Sequence, residues 1–273
     1  MTELPDDLNG WAAFFAGHRT VVFVANSETA NVEALRARFG EDVLFVFFNK
    51  VYKVLSAPFT GSSLLVARSS VAGANIVYRR EVDTVCGYFA GAGFNGILNL
   101  KAVPAERFSA AHNFGARPVG RIDLSDHFAG FYPEESVPTT GFALAIWLAE
   151  RCPDIRLVLA GFSADRSERW KLFHDHDWTF EQIVLRLMAR SGRIEMDTLR
   201  AASPLDAITA RFPDLDPREI ALVACEVLAS RQDGTNRAVD RLYSIVKPLT
   251  GLRGVFQRLK PKTRKEKQAV SRR

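Results

Sequence analysis

Two histidines precede a predicted helix in the run His174-Asp-His176-Asp-Trp-Thr-Phe-Glu181. Thr179-Phe-Glu-Gln182 has the form of a capping box, with Trp178 and Ile183 at the positions of a hydrophobic staple. His176 is therefore expected just outside the helix, in a loop that leaves one ring nitrogen free. An imidazole with an ordinary pKa near ~6.5 suits proton transfer at neutral pH, so His176 is a candidate general base. Glu181 would fix the loop or the histidine tautomer, and His174 is the alternative base.

A second polar turn, Thr139-Thr140-Gly141, follows Pro138 and opens an apolar helix pattern that ends near Cys152-Pro153. Hydroxyl side chains cap helix starts, and the free amides of such a start stabilise an anion. A short apolar strand, 156–160, and the pair Gly161-Phe162 come next. An uninterrupted apolar strand is typical of a parallel sheet that is buried on both faces.

The amino-terminal part of the chain also alternates predicted strands and helices. A β-branched strand at 20–25 leads through Asn26-Ser27 to a predicted helix at 28–39, and a second strand at 43–48 ends at Asn49. Further strands are predicted at 63–67 and 75–78. Ligands of open α/β sheets bind at the carboxyl ends of the strands. Asn26, Ser27 and Asn49 are therefore candidate ligand contacts, and the alternative is that each is an ordinary turn residue.

In this order the segments resemble the sialylmotifs of sialyltransferases. Pro138-Thr-Thr-Gly141, with the helix and strand that end at Ala160-Gly-Phe162, resembles the small sialylmotif. His176 and Glu181 have the His-x4-Glu spacing of the very short sialylmotif. Residues 21–27 and 46–49 look like the beginning and end of the large sialylmotif. The likeness covers four short blocks directly and residues 20–190 by implication.

The resemblance implies a Rossmann-like, mostly parallel α/β sheet flanked by helices, similar to a variant of the GT-A glycosyltransferase arrangement. It implies an inverting, metal-independent transferase without a cofactor, which moves a CMP-activated acidic sugar to a hydroxyl of a surface glycan such as lipopolysaccharide or capsule. His176 would be the base, with Glu181 or His174 beside it. The nucleotide would contact Asn26, Ser27, Asn49, Thr139, Thr140, Gly141, Gly161 and Phe162.

Two features depart from the bacterial sialyltransferases. Those enzymes have glycine on both sides of the asparagine after the first strand, whereas Ala25 and Ser27 stand here. A methyl group at position 25 restricts how closely a phosphate approaches. The tyrosines that follow the Gly-Phe turn in those enzymes are missing, and Arg166 lies in that region. The alternatives are that a guanidinium replaces a phenol as the phosphate donor, or that the phosphate site is altered or lost.

Composition and charge restrict the class of protein. The 273 residues are 47% hydrophobic and 25% charged, as in an ordinary globular chain. Three well-separated cysteines form neither a disulfide framework nor a zinc spacing, which fits a reducing compartment. The acidic start lacks the apolar segment of a secretory signal, and no run approaches the ~18 apolar residues of a membrane span. We therefore predict a cytoplasmic protein, with peripheral binding to the inner membrane as an option.

The charge is unevenly distributed along the sequence. Residues 247–273 carry ten Lys or Arg and one Glu, a net charge of +9, so the +5 of the whole chain leaves −4 for residues 1–246. Apolar residues with basic neighbours in this tail fit an anchor on an anionic membrane, and a solvated disordered tail is the alternative. No nucleic-acid reading motif accompanies the charge. The predicted organisation is an α/β domain over 1–194 with an irregular, lid-like segment at 104–136, a helical extension over 195–246 and the tail.

Other functions stay open at this point. His174-Asp-His176-Asp177 could hold a divalent ion only with a partner cluster elsewhere, which the sequence does not offer. Asp214-Leu-Asp216 resembles the acidic metal motif of other glycosyltransferases, but its place before Pro217 favours a helix cap. The alternatives are a transferase or hydrolase for another nucleotide or phosphorylated substrate, and a non-catalytic membrane-associated module of a glycan assembly complex. The oligomeric state is not predicted.

Overall fold

The computed structural model describes residues 3–40, 42–69, 75–163, 175–197 and 204–230, together with Gln232 and Arg237. The chain divides into two compact units, residues 1–199 and residues 200–273. The first unit contains the sheet and all the described candidate site residues. The last strand of the sheet, Glu195–Met196, also lies in the first unit.

The first unit is built on a seven-stranded sheet in which every pair of neighbours is parallel. Its strands are β1 (Thr20–Val24), β2 (Leu44–Phe48), β3 (Ser63–Arg68), β4 (Phe94–Lys101), β5 (Val119–Asp123), β6 (Arg156–Ala160) and β7 (Glu195–Met196). Their order across the sheet is β5-β4-β3-β2-β1-β6-β7. The chain thus starts in the middle, moves outward to β5, and returns to the other side of β1. This confirms the predicted Rossmann-like α/β fold.

The strand sequences explain why both faces of the sheet are covered. In β1, Val21 and Phe23 pack into one hydrophobic cluster, while Val22 and Val24 pack into the cluster on the opposite face. Every residue of β1, β2 and β3 is buried. Continuous apolar strands of this kind require helices on both sides, because successive side chains point to opposite faces.

Helices supply that cover. The first unit contains α1 (Leu8–Ala16), α2 (Val32–Phe39), α3 (Val82–Cys86), α4 (Ser125–Phe128), α5 (Thr140–Arg151) and α6 (Trp178–Arg190). Short 3₁₀ turns occur at Val51–Lys53 and Ala111–Phe114. Helix α5 is the most deeply placed, since all residues from Phe142 to Ala149 are buried. Its start is capped by the side chain of Thr139.

Several predicted elements differ in the structure. Residues 75–78 form a turn instead of a strand, because Asn75 Oδ1 accepts from the amides of Val77 at 2.9 Å and Tyr78 at 3.3 Å. The segment 104–136, predicted as irregular, contains the sheet strand β5 and helix α4. Helix α2 begins at Val32 instead of residue 28, with Asn31 as its cap.

The start of α6 also differs. Asp177 caps this helix by accepting from the amide of Phe180 at 2.9 Å, so Thr179 is not the cap. Ile183 is 54% exposed and does not form the predicted staple. The predicted position of His176, immediately before the helix, is confirmed.

The second unit contains α7 (Pro204–Arg211) and a further helical segment at 217–230. Asp216 Oδ1 accepts from the amide of Arg218 at 2.9 Å, which confirms the predicted cap before Pro217. The basic tail 247–273 lies outside the described residues. Among the helices that the structure describes, none combines the length and apolarity needed to cross a bilayer.

Candidate functional site at the carboxyl edge of the sheet

The sheet reverses its order between β1 and β6, and several predicted ligand residues lie at this switch point. Val24 of β1 pairs with Ala160 of β6, so the loops that follow them leave the sheet side by side. Gly161 has φ +77°, and a Cβ built on it would lie 2.9 Å from the Cβ of Ala30 and 3.1 Å from that of Ser27. Open α/β sheets bind ligands at such a point. The structure therefore brings Gly161 and Ser27 together at the expected edge.

The two predicted asparagines bind neighbouring strand ends. Asn26 Nδ2 donates to the carbonyl oxygen of Phe48 at 2.7 Å, which joins the loop after β1 to the end of β2. Asn49, buried and at φ +45°, accepts at Oδ1 from the amide of Arg68 at 3.0 Å. Asn49 thus stabilises the strand ends. The side-chain oxygen Oδ1 of Asn26, in contrast, has no hydrogen-bond partner among the residues that the structure describes. The Ser27 hydroxyl lies 2.9 Å from that of Thr29, within its own loop.

The predicted turn at the start of α5 faces the end of β6. Thr139 caps the helix by accepting from the amide of Phe142 at 3.2 Å. Gly141 lies against Phe162, since an added Cβ would be 2.7 Å from the ring atom Cε1. The carbonyl oxygen of Phe162 in turn accepts from Gln182 Nε2 at 3.0 Å. Residues of three elements, α5, β6 and α6, therefore meet at one place.

His176 binds the segment just before this turn. Its Nδ1 lies 2.6 Å from the carbonyl oxygen of Val137, and the amide of Val137 donates to the carbonyl of Asp175 at 2.7 Å. A carbonyl oxygen can only accept, so Nδ1 carries the proton and the lone pair of the neutral ring is at Nε2. The expected convergence of His176 and the threonine turn is thus present in the structure.

The surroundings of His176 keep it neutral. Burial lowers the pKa of His176 below its usual value of 6.5, and the charge of Arg68 lowers it further. The hydrogen bond to Val137 and the charges of Asp175 and Glu106 oppose this effect without reversing it. A neutral imidazole with its lone pair at Nε2 is the form that accepts a proton from a hydroxyl group.

Glu181 holds the start of α5 and does not contact His176 through any hydrogen bond among the described residues. Its Oε1 accepts from the amide of Thr139 at 2.7 Å and from the Tyr132 hydroxyl at 2.9 Å. Its Oε2 accepts from the Thr139 hydroxyl at 2.7 Å. The carboxyl group is 3% exposed, and burial raises its pKa to about 7 against the hydrogen bonds from Thr139 and Tyr132. Of its two predicted roles, Glu181 therefore fixes the loop, while the Val137 carbonyl sets the histidine tautomer.

A buried ion pair that the sequence analysis missed completes this edge. Arg68, the last residue of β3, pairs through Nε with Glu106 Oε1 at 2.6 Å. Its Nη1 donates to the carbonyl oxygen of Pro138 at 2.9 Å. The signal available in the sequence was the single charge that ends the apolar strand Ser-Leu-Leu-Val-Ala-Arg68. Glu106 and Tyr132 gave no such signal, because they lie in the segment predicted as irregular.

Buried polar atoms without a hydrogen-bond partner concentrate at this edge. Four such side-chain atoms occur among the described residues, and three of them are Asn26 Oδ1, Arg68 Nη2 and Gln182 Oε1. Asn26 follows β1, Arg68 ends β3 and Gln182 lies in the second turn of α6, whereas the fourth atom, Ser63 Oγ, lies at the opposite end of β3. Buried polar groups in native proteins are nearly always paired with protein groups, ordered water or a ligand, so these three atoms are available to a polar partner.

Other predicted residues are not placed. His174 and Arg166, the alternative base and the predicted phosphate donor, lie outside the described residues. Within the described part of the chain, no three His, Cys, Asp or Glu side chains are grouped in a way that could hold a metal ion. No protein-family model matches the chain, and no curated protein is significantly similar to it.

Proposed function

We propose that the protein is an inverting glycosyltransferase that moves a CMP-activated acidic sugar, sialic acid or a related keto-sugar, to a hydroxyl of a surface glycan. The observation that carries the proposal is the hydrogen bond of His176 Nδ1 to Val137, two residues before the cap of α5. It gives a general base with its lone pair at Nε2 close to a helix start that favours an anion. The motif resemblance supplies the identity of the donor.

The reaction then follows from the residues at this edge. His176 Nε2 accepts the proton of the acceptor hydroxyl while that oxygen attacks the anomeric carbon from the side opposite the phosphate. The bond between the anomeric carbon and the phosphate oxygen breaks, and its electron pair leaves with CMP. The amides at the start of α5 stabilise the departing phosphate charge. Asn26 Oδ1 is an acceptor for a hydroxyl or amino group of the nucleoside.

Replacing His176 tests the base. His176→Ala should abolish sugar transfer, because it removes the proposed base, and should leave CMP binding in calorimetry nearly unchanged. His112→Ala is a matched control, because His112 is an exposed histidine outside this edge. A histidine must be neutral to accept a proton. Because the pKa of His176 is lowered from 6.5, the transfer rate of the parent protein should decrease with falling pH only below pH 6.5. Equal transfer by His176→Ala and the parent would remove the base assignment.

The donor is tested with a panel of nucleotide sugars, by measuring the release of free nucleotide with and without a chelator. Release of CMP from CMP-sialic acid or a related CMP-keto-sugar, unaffected by the chelator, is expected. Release of a different nucleotide would favour the transferase or hydrolase alternative. Absence of both turnover and CMP binding would favour a non-catalytic module.

We also propose an anionic membrane surface as a partner. The helical segment 217–230 exposes Leu222, Val227 and Leu228, each by more than half, and the basic tail follows in sequence. Apolar and cationic groups together bind anionic leaflets. Sedimentation with vesicles of phosphatidylcholine and phosphatidylglycerol should fall when residues 247–273 are deleted or when their Lys and Arg are replaced by Gln. Unchanged sedimentation in both variants would exclude the tail as an anchor.

A further inference from the structure

Arg68 and His176 hydrogen-bond two successive carbonyl groups. Arg68 Nη1 donates to Pro138 at 2.9 Å, and His176 Nδ1 donates to Val137 at 2.6 Å. The guanidinium is close enough for its charge to lower the pKa of His176 and of Glu181. Arg68 therefore belongs to the same edge as the base, immediately before the start of α5.

The guanidinium of Arg68 has an unused donor. Arg68 is 7% exposed, its Nε is bound to Glu106 and its Nη1 to Pro138, but Nη2 is buried without a hydrogen-bond partner among the described residues. A buried donor without a partner is costly, and one on a charged group more so. Because Nη2 has almost no accessible area, an anion reaches it only when neighbouring groups shift, and little water then competes for the charge-assisted hydrogen bond.

Glu106 is satisfied by other donors as well. Its Oε2 accepts from the amides of Ala102 at 2.8 Å and Val103 at 3.3 Å. These two backbone amides therefore stabilise the Glu106 carboxylate together with Arg68. The positive end of the α5 dipole lies beside the guanidinium, after Pro138.

We propose that Arg68 is an oxyanion-binding residue of the donor site, in which Nη2 donates to a phosphate or carboxylate oxygen of the substrate. The inference rests on the proposed function where it assigns that oxygen to a CMP-sugar. Phosphate and carboxylate share the chemistry that a guanidinium recognises, and the experiment separates the two sources. If Arg68 had only a structural role, its contacts with Glu106 and Pro138 would account for it, and its removal would not change anion binding.

The test compares variants that share a neutral residue at position 106. Glu106→Gln keeps the guanidinium, whereas the double variant Arg68→Gln/Glu106→Gln removes it without leaving a buried carboxylate unpaired. Calorimetry measures binding of cytidine, CMP and CMP-sialic acid, and thermal unfolding checks that both variants are folded. If the double variant does not fold, Arg68→Lys/Glu106→Gln replaces it. A lysine keeps the positive charge but has one side-chain nitrogen, so it cannot bind Pro138 and an anion through separate nitrogen atoms.

In the background of the Glu106→Gln substitution, loss of the guanidinium should weaken anion binding roughly ten- to hundredfold, as expected for a charge-assisted hydrogen bond. A loss for CMP but not for cytidine identifies the phosphate, and a loss for CMP-sialic acid but not for CMP identifies the carboxylate. Glu106→Gln alone should bind the anion as well as the parent or better, because it removes a competing negative charge. Equal affinities of the single and double variants for all three ligands would overturn the proposal.

The Arg68 inference can be separated from the proposed function. If the parent protein binds none of the three cytidine ligands, the proposed donor is wrong, and inorganic pyrophosphate becomes the probe. Binding of pyrophosphate by Glu106→Gln that is lost in the double variant would then still support an oxyanion site at Arg68. No pyrophosphate binding by the parent or by Glu106→Gln would reject it.

Discussion

Replacing Glu181 by glutamine should change how the stability of the protein depends on pH. Glu181 is 3% exposed, and its pKa is raised from 4.5 to about 7. Between these values the folded state holds a proton that the unfolded state has lost. The contribution of Glu181 to the free energy of unfolding therefore decreases as the pH rises from 4.5 to 7 and levels off above that range.

The size of this effect follows from the two pKa values. A displacement from 4.5 to about 7 corresponds to about 3 kcal/mol in total, of which roughly 2.5 kcal/mol falls between pH 5 and pH 8. Glutamine does not titrate, and its carbonyl oxygen can still accept from the Thr139 amide and the Tyr132 hydroxyl. Relative to the parent, Glu181→Gln should thus gain about 2.5 kcal/mol between pH 5 and pH 8.

Urea unfolding at the two pH values measures this difference, with fluorescence of the buried Trp11 and Trp147 as the signal. The lowered pKa of His176 acts in the opposite direction, but it is present in both proteins and cancels in the comparison. Parallel pH profiles would refute the reasoning. If the parent instead becomes more stable relative to the variant as the pH rises, the three hydrogen bonds outweigh burial and keep Glu181 charged.

Substitutions at Gly161 and Thr139, each with a matched control, test the packing of the site. Gly161→Ala and Gly192→Ala impose the same left-handed strain, with φ +77° and +76°, but only residue 161 has a neighbour, the Ala30 Cβ, within 3 Å of the added methyl. Both should lose about 1–2 kcal/mol in urea unfolding, with a further ~1–3 kcal/mol at residue 161, and equal losses would contradict the close contact of the two loops. Thr139→Ala should cost at least about 1 kcal/mol, because it removes the cap of α5 and a hydrogen bond to Glu181, while Thr139→Ser should stay within about 0.5 kcal/mol of the parent. A serine variant as unstable as the alanine variant would show that the hydroxyl contacts are not what stabilises this turn.

The sequence predicts the central strands well and the outer ones poorly, for a physical reason. Strands β1, β2, β3 and β6 are buried on both faces and therefore read as apolar runs. The edge strand β5, Val-Gly-Arg-Ile-Asp123, has alternating burial and a glycine near its start. That glycine is required by the chain before α1, since a Cβ at Gly120 would lie 2.1 Å from the carbonyl oxygen of Pro5. Such a tertiary requirement leaves no periodic pattern in the sequence.

The site was predictable where it depends on helix starts and unpredictable where it depends on strand pairing. The positions of Thr139 and His176 follow from the boundaries of α5 and α6, which local residues define. The position of Arg68 depends on β3 lying two strands from β1, and that order is set by the whole sheet. Glu106 reaches Arg68 from a loop after β4, so its role appears only once that strand has been placed.

The arrangement of charge around α5 explains why a ligand site should form at its start. The helix is buried along most of its length, so its first amides, which have no intrahelical acceptor, need acceptors from elsewhere. Thr139 and Glu181 stabilise the turn from the α6 side, and burial holds Glu181 only partly ionised at neutral pH. Arg68 at the end of β3 and His176 just before α6 are donors, and their hydrogen bonds fix the carbonyl groups of Pro138 and Val137. In the proposed reaction, an anion between the strand ends and this turn would therefore meet a helix amino terminus and the Arg68 guanidinium, and the attacking hydroxyl would give its proton to the neutral imidazole of His176.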